Sequence, residues 1–232
     1  LISTLKKKEK TIFTFPLQNI SMSGADLFYY VYNIADSLKK INFLNRQNRV
    51  AILYENSVEY VILFFVLILR KLVIVPINPS LSALEIKKIF LQSKSELLIV
   101  GNENRNKVKQ IKKKIFYNFS NKNKKYQSLK VDLKEIKPEK NKILLLYTSG
   151  STGAPKGSPI TETNILYMCK VISDHYKLNN KTKTLVLMPM FHNNGLIGSF
   201  LSTLISGGST TIAPANFIIY KFWFFIKKYK IS

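Results

Sequence analysis

The sequence predicts an α/β fold in which a parallel sheet is layered between helices, and three observations predict it. Short apolar runs, Arg49–Tyr54, Leu72–Ile77 and Glu96–Val100, alternate with segments whose apolar residues recur every three or four positions. Strands joined through helices in this order pair in parallel, and a parallel sheet needs cover on both faces. Hydrophobic residues make up 46% and aromatics 12% of the 232 residues, enough for such a core and too much for a disordered chain.

Each element has its own local signal. Ser23 with Asp26 three residues on marks the start of a helix whose stripe is Leu27, Val31, Ile34, Leu38 and Ile41. After the strand Arg49–Tyr54, Asn56 and Glu59 are expected to cap a helix over Ser57–Arg70. Within it Val61–Leu69 reads VILFFVLIL, and Arg70 and Lys71 stop it well short of the roughly 18 to 20 residues of a membrane span. A helix buried between layers, with no membrane span, is the expectation. Leu72–Ile77 is the next strand, Asn78–Pro79 a turn, and Ser82 with Glu85 the capping pair of a helix through Gln92. Glu96–Val100 follows as a strand before Gly101.

Between Asn102 and Lys142 the periodicity fades into Lys and Asn with short apolar pieces such as Ile115–Phe119, so a surface excursion with one or two weak strands is expected. The runs Lys112–Lys114 and Lys122–Lys125 read as solvated surface. Beyond a strand at Ile143–Tyr147, a helix is expected near Thr163, capped by Thr163 or Asn164, with Ile165, Leu166, Val171 and Ile172 as its apolar face. Thr184–Met188 is a strand, Gly195–Ile205 a helix ended by Gly207-Gly208, and Ser209–Ala213 a strand. Phe217–Tyr229 is a helix expected to be aromatic on its inward side and basic elsewhere.

The formal charge of +23 would suit nucleic acid or an anionic surface. The lysine excess travels with abundant Asn, Ile, Phe and Tyr, all encoded by A/T-rich codons, and no RNA-binding aromatic motif accompanies it. No specific nucleic-acid role is assigned. The single cysteine, Cys169, excludes an internal disulfide, a zinc spacing and a redox pair, which fits a reducing, cytoplasmic setting. Leu1–Gln18 has basic residues but no apolar core of signal-peptide length.

The most specific chemistry lies in Leu144–Pro159, LLLYTSGSTGAPKGSP. An apolar strand gives way to Thr, Ser, Gly, Ala, Pro and Lys before the helix near Thr163, so the stretch reads as strand, glycine-rich loop and helix. Gly150, Gly153 and Gly157 let backbone N–H groups approach a ligand closely. Thr148, Ser149, Ser151 and Thr152 supply hydroxyls, Lys156 a fixed positive charge, and the following helix the positive end of its dipole. Such a set suits a polyphosphate. Lys156 stands between Pro155 and Gly157, which breaks the Walker pattern, and no G-x-G-x-x-G occurs. A flexible Ser/Gly linker is the bland alternative, and the flanking apolar strand and amphipathic helix weigh against it.

At every position, YTSGSTGAPKG over Tyr147–Gly157 resembles the phosphate-loop signature of the adenylate-forming enzymes: acyl-CoA synthetases, luciferases and the adenylation domains of peptide synthetases. Met188–Leu196, MPMFHNNGL, is similar to that family's second core motif, an apolar strand followed by Pro-x-Phe-His-x-x-Gly-Leu. The resemblance implies the layered parallel-sheet N-terminal domain of an adenylate-forming enzyme, incomplete, with 1–232 forming the N-terminal part and the small C-terminal domain absent. It implies that Thr148, Ser149, Gly150, Ser151, Thr152, Gly153 and Lys156 hold the β- and γ-phosphates of ATP. His192, Asn193 and Gly195 would border the pocket for a small-molecule carboxylic acid, with Asn193 and Asn194 at variable positions that tune substrate choice. His175 has no such context and reads as a surface residue.

Mg2+ and coenzyme A are implied by the family, with sites outside this segment. No catalytic residue and no metal, adenine or ribose site is assigned, because the family's Tyr-Gly-x-Thr-Glu motif, ribose-binding Asp and catalytic Lys have no counterpart here. This segment alone is therefore expected to be inactive. An AMP-forming ligase that passes a fatty or small organic acid to coenzyme A is the first reading. The alternatives are an amino-acid adenylation domain, which a downstream carrier-protein domain would identify, and an inactive truncated fragment.

Overall fold

Apolar runs become strands where they are β-branched and short, and helices where they recur at helical spacing. The computed structural model describes residues 11–39, 48–119, 142–148, 155–214, 217 and 219–232. In chain order the elements are β1 (Thr11–Phe15), β2 (Ile20–Ser23), α1 (Gly24–Lys39), β3 (Arg49–Leu53), α2 (Val58–Leu69), β4 (Val73–Pro76), α3 (Ala83–Gln92) and β5 (Leu97–Val100). They continue with β6 (Lys114–Phe116), β7 (Lys142–Thr148), β8 (Lys156–Thr161), α4 (Glu162–His175), β9 (Lys183–Val186), α5 (Ser202–Ile205), β10 (Ser209–Ile212) and α6 (Phe222–Tyr229).

The chain divides into two compact units. One contains Tyr29–Tyr54 and Glu59–Glu162. Its sheet has six strands in the order β6-β5-β3-β4-β7-β8, parallel as expected except for β8, which runs antiparallel to β7 at the edge. The central strands β3, β4 and β5 are buried almost throughout, the burial that a sheet covered on both faces requires. The reciprocal cap of α3 forms as expected: the Ser82 hydroxyl accepts from the Glu85 N–H, and the Glu85 carboxylate accepts from the Ser82 N–H at 2.9 Å. Every residue from Tyr60 to Ile68 is buried, so α2 is apolar all round because it is enclosed all round. Among the described residues no helix is long and apolar enough to cross a membrane.

The other unit contains Leu1–Phe28, Glu55–Val58 and Thr163–Ser232, and its four strands lie in the order β2-β1-β10-β9. The sequence did not signal the hairpin β1/β2. It forms because Ile12, Phe13 and Phe15 supply a buried face and because β1 finds a parallel partner in β10, pairing Phe13 with Thr210. Ser23 and Asp26 exchange bonds of 2.8 and 3.0 Å at the start of α1, as expected. Gly207, at φ +91°, ends the helix before β10, with Gly208 N–H bonded to Thr203 O and Gly207 N–H to Leu204 O.

Several expectations needed correction. Between the glycine-rich loop and α4 lies an unforeseen strand, β8. Lys-Gly-Ser-Pro-Ile-Thr has little strand propensity, but an exposed edge strand tolerates Pro159, whose missing N–H costs no ladder bond on the solvent side. Helix α4 starts at Glu162, so Thr163 and Asn164 lie in its first turn rather than before it, and Val171 faces solvent while Ile165 and Cys169 carry the buried stripe. Met188 lies beyond β9 and is exposed. Helix α6 buries Phe225 but exposes Trp223 and Phe224, so its aromatic residues are not confined to one inward side.

Candidate functional site

Strand β7 and strand β8 form the two legs of a hairpin whose tip is the glycine-rich loop. Thr148 pairs with Lys156 and Tyr147 with Gly157, so the ladder brings the two ends of the loop side by side. Ser149, Gly150, Ser151, Thr152 and Gly153 lie outside the described residues, and of Thr148 only the backbone is described. Lys156 opens β8 and is exposed. At the base of the tip, the Gln92 side chain at the end of α3 donates to the Pro155 carbonyl at 2.9 Å.

This geometry corrects the expected strand–loop–helix. Helix α4 follows a six-residue strand, and at about 3.3 Å per residue its N-terminus lies on the order of 20 Å along the chain from Lys156. A helix dipole acts within its first turn, so α4 adds nothing to charge at the hairpin tip. Among the described residues at that end of the hairpin, the exposed Lys156 supplies the positive charge.

Successive side chains on a strand point to opposite faces. The pair Tyr147 and Gly157 therefore faces away from the Thr148 and Lys156 pair. On that reverse face a half-open cleft of about 500 Å³ is lined by residues that include Arg49, Gln92, Lys142, Tyr147 and Gly157. A Cβ at Gly157 would sit 3.1 Å from the Tyr147 ring and from the Leu145 side chain, a tight contact with groups that can shift. Burial pushes the Tyr147 phenol above its ordinary pKa, with the Arg49 charge opposing it.

The second motif belongs to the four-stranded unit. Strand β9 ends at Val186, and the chain turns before entering a wide helix at Asn194. Such a strand-to-helix edge is where parallel sheets place ligands. From Asn194 to Leu201 the helix is π-wound, with Ser202 N–H and hydroxyl both bonded to Ile197 O, and it tightens into α5. A Cβ on the buried Gly195 would collide with the Pro189 carbonyl and lie 2.6 Å from the Met188 carbonyl oxygen. Only glycine allows the helix to begin this close to the preceding loop.

His192 is exposed; its N–H donates to Pro189 O at 3.0 Å, its carbonyl accepts from Leu196 N–H at 3.0 Å, and its ring lies 4.6 Å from that of Phe191. Asn193 is exposed and makes no side-chain cap to the helix. His175 is also exposed, at the end of α4.

Asn56, expected as a helix cap, is instead committed to this loop. Its side chain is buried, with 9% exposure; Nδ2 donates to Met188 O at 3.1 Å and to Ala213 O at 3.3 Å, and Oδ1 accepts from Met190 N–H at 2.8 Å. The N–H of Val58, at the start of α2, is taken by Gln18 Oε1 at 2.8 Å. Sequence gave no sign of these roles for Asn56 or for Gln92, since their partners lie 63 to 157 positions away.

Among the described residues no three His, Cys, Asp or Glu side chains cluster as metal ligands, so no metal-holding role is given to them. The Cys169 thiol is buried and pushed up to about 11 by that burial, which leaves it protonated and unreactive.

Comparison with known proteins places the chain in a family. A family model described as AMP-binding enzyme matches residues 3–232. An oxalate–CoA ligase of Arabidopsis thaliana is 29% identical over 199 residues, covering 79% of this chain and 38% of that protein. The chain thus spans less than half the length of this relative. Two solved structures share the fold: the inhibitor-bound N-terminal domain of FACL13 from Mycobacterium tuberculosis, with TM-score 0.83, 22% identity and coverage of 100% of this chain and 61% of that one; and O-succinylbenzoate CoA synthetase from Bacillus subtilis in complex with ATP and magnesium ion, with TM-score 0.80, 20% identity and coverage of 100% and 61%.

Proposed function

Because the chain belongs to the AMP-binding enzyme family, we propose that it is the N-terminal part of an AMP-forming ligase that activates a carboxylic acid with ATP and passes the acyl group to coenzyme A. The observation that carries this reading is the ladder that closes the glycine-rich loop between Thr148 and Lys156, in a stretch that keeps the family's phosphate-loop residues at every position. In the reaction, the substrate carboxylate attacks the α-phosphate of ATP and pyrophosphate leaves, giving an acyl-adenylate. A thiol then takes the acyl group and AMP is released.

Substitution at phosphorus asks a protein for alignment and for neutralisation of charge gathering on the leaving group. Lys156, on one edge of the hairpin tip, supplies the charge. Thr148, Ser149, Ser151 and Thr152 supply hydroxyl donors, and Gly150 and Gly153 supply backbone N–H groups that reach the β- and γ-phosphates without a Cβ in the way. This donor set fits a triphosphate. Mg2+ would share the phosphate charge when bound. His192 and Asn193 bear on the carboxylic acid, and Gly195 lets their loop fold. Of the acids the family uses, a small organic acid is favoured over a fatty acid by the likeness to an oxalate–CoA ligase.

The test is product identification. The complete gene product, given ATP, Mg2+, coenzyme A and a panel running from oxalate to long-chain fatty acids, is expected to yield AMP, pyrophosphate and one acyl-CoA thioester by mass spectrometry. ADP with inorganic phosphate, or no nucleotide turnover with any acid, would refute the proposal.

A further inference from the structure

The Asn56 amide stands at the carboxyl ends of the neighbouring strands β9 and β10, bonded to Met188 O beyond the first and Ala213 O beyond the second. Its oxygen takes the Met190 N–H at 2.8 Å. One planar group thus supplies two donors and one acceptor to three backbone positions, in a place where 9% exposure leaves little water to replace them. Two of those positions, Met188 and Met190, flank Pro189, whose carbonyl receives the His192 N–H. The same Met188 and Pro189 carbonyls form the wall against which Gly195 packs.

We propose that Asn56 is a positioning residue for the His192 loop, fixing the Met188–Met190 backbone and thereby setting where the His192 imidazole is presented. The inference rests on the reading above that this loop bears on the carboxylic acid. The chemistry selects asparagine. Aspartate would turn both donors into acceptors facing two carbonyl oxygens, leucine would leave the Met190 N–H and both carbonyls without this partner, and glutamine is longer by a methylene.

The chain contains two histidines, which makes the test direct: His175 is the internal reference for His192 in an NMR spectrum of the 232-residue chain. In Asn56→Asp and Asn56→Ala the His192 imidazole resonances are expected to shift while those of His175 stay in place. The Met190 amide should exchange about 10- to 100-fold faster than in the wild type, with the amides of β10 still protected. A His192 signal that stays put in a folded variant would overturn the proposal. Should neither variant fold, the wild type alone decides: a Met190 amide protected like those of β10 supports the tether, and one exchanging as fast as the exposed Asn193 amide overturns it. The acid-side reading fails separately, if His192→Ala in the complete gene product leaves the KM for its preferred acid unchanged.

Discussion

The hairpin in the six-stranded unit and the His192 loop in the four-stranded unit are shaped by different means. The hairpin is framed by its own neighbours in sequence: β7 pairs with β8, and Tyr147 packs against Gly157 ten positions on. The His192 loop is framed from afar by an asparagine 132 and 134 positions away, and locally by a helix start that closes onto it only because Gly195 has no side chain. A locally framed segment should tolerate substitution in its supports, whereas a remotely framed one should fail when a single contact is changed.

Glycine substitutions give the largest contrast, because one glycine is walled by backbone and the other by side chains. Gly195→Ala drives a methyl group into backbone carbonyls that have nowhere to move, and is expected to cost about 3 kcal/mol, measurable as a lowered midpoint in urea. Gly157→Ala meets the tips of the Leu145 and Tyr147 side chains at 3.1 Å, and since both can give way the cost should stay below about 1 kcal/mol. Equal losses at the two sites would break the distinction.

A smaller effect is expected at the hydrogen bond that α3 lends to the hairpin. Gln92→Ala removes the bond to Pro155 O and should raise the KM for ATP by about twofold to fivefold, the worth of one exposed hydrogen bond, with stability almost unchanged. A rise as large as that from loss of a buried tether would mean that the hairpin is held from afar too.

Smallest is the cap of α3. The Ser82 hydroxyl and N–H hold the Glu85 carboxyl below its usual range. A carboxyl depressed in the folded state stabilises above its unfolded pKa, and that contribution is lost as pH falls through the folded value. The gap in Tm between the wild type and Ser82→Ala should therefore narrow on going from about pH 7 to pH 3. A gap that widens in acid would remove the carboxylate from the cap.

What the sequence showed follows the same division. The caps at Ser23 and Ser82, the enclosed α2 and the stop at Gly207 depend on residues within one turn of each other, and each was readable. Strand β8 was not, because its pairing with β7 and its place at the sheet edge, rather than its own propensities, make it a strand. Nor was β1, whose parallel partner β10 lies at the other end of the chain. Asn56 was readable only as a cap for the helix that follows it; its amide partners lie just beyond β9 and β10, far later in the sequence. The glycine-rich motif was readable as a pattern, with Ser149 to Gly153 outside the described residues, but the helix expected directly behind it was not there, since a strand separates the loop from α4.

The account depends on the Lys156 face of the hairpin gripping the triphosphate of ATP. Acid-dependent ATP–pyrophosphate exchange by the complete gene product, wild type beside Lys156→Ala, tests this directly. Exchange in the wild type, falling about 100-fold in a variant with the same Tm, is the expected result. Exchange at the wild-type rate in Lys156→Ala, or none from the wild type with any acid, would contradict it.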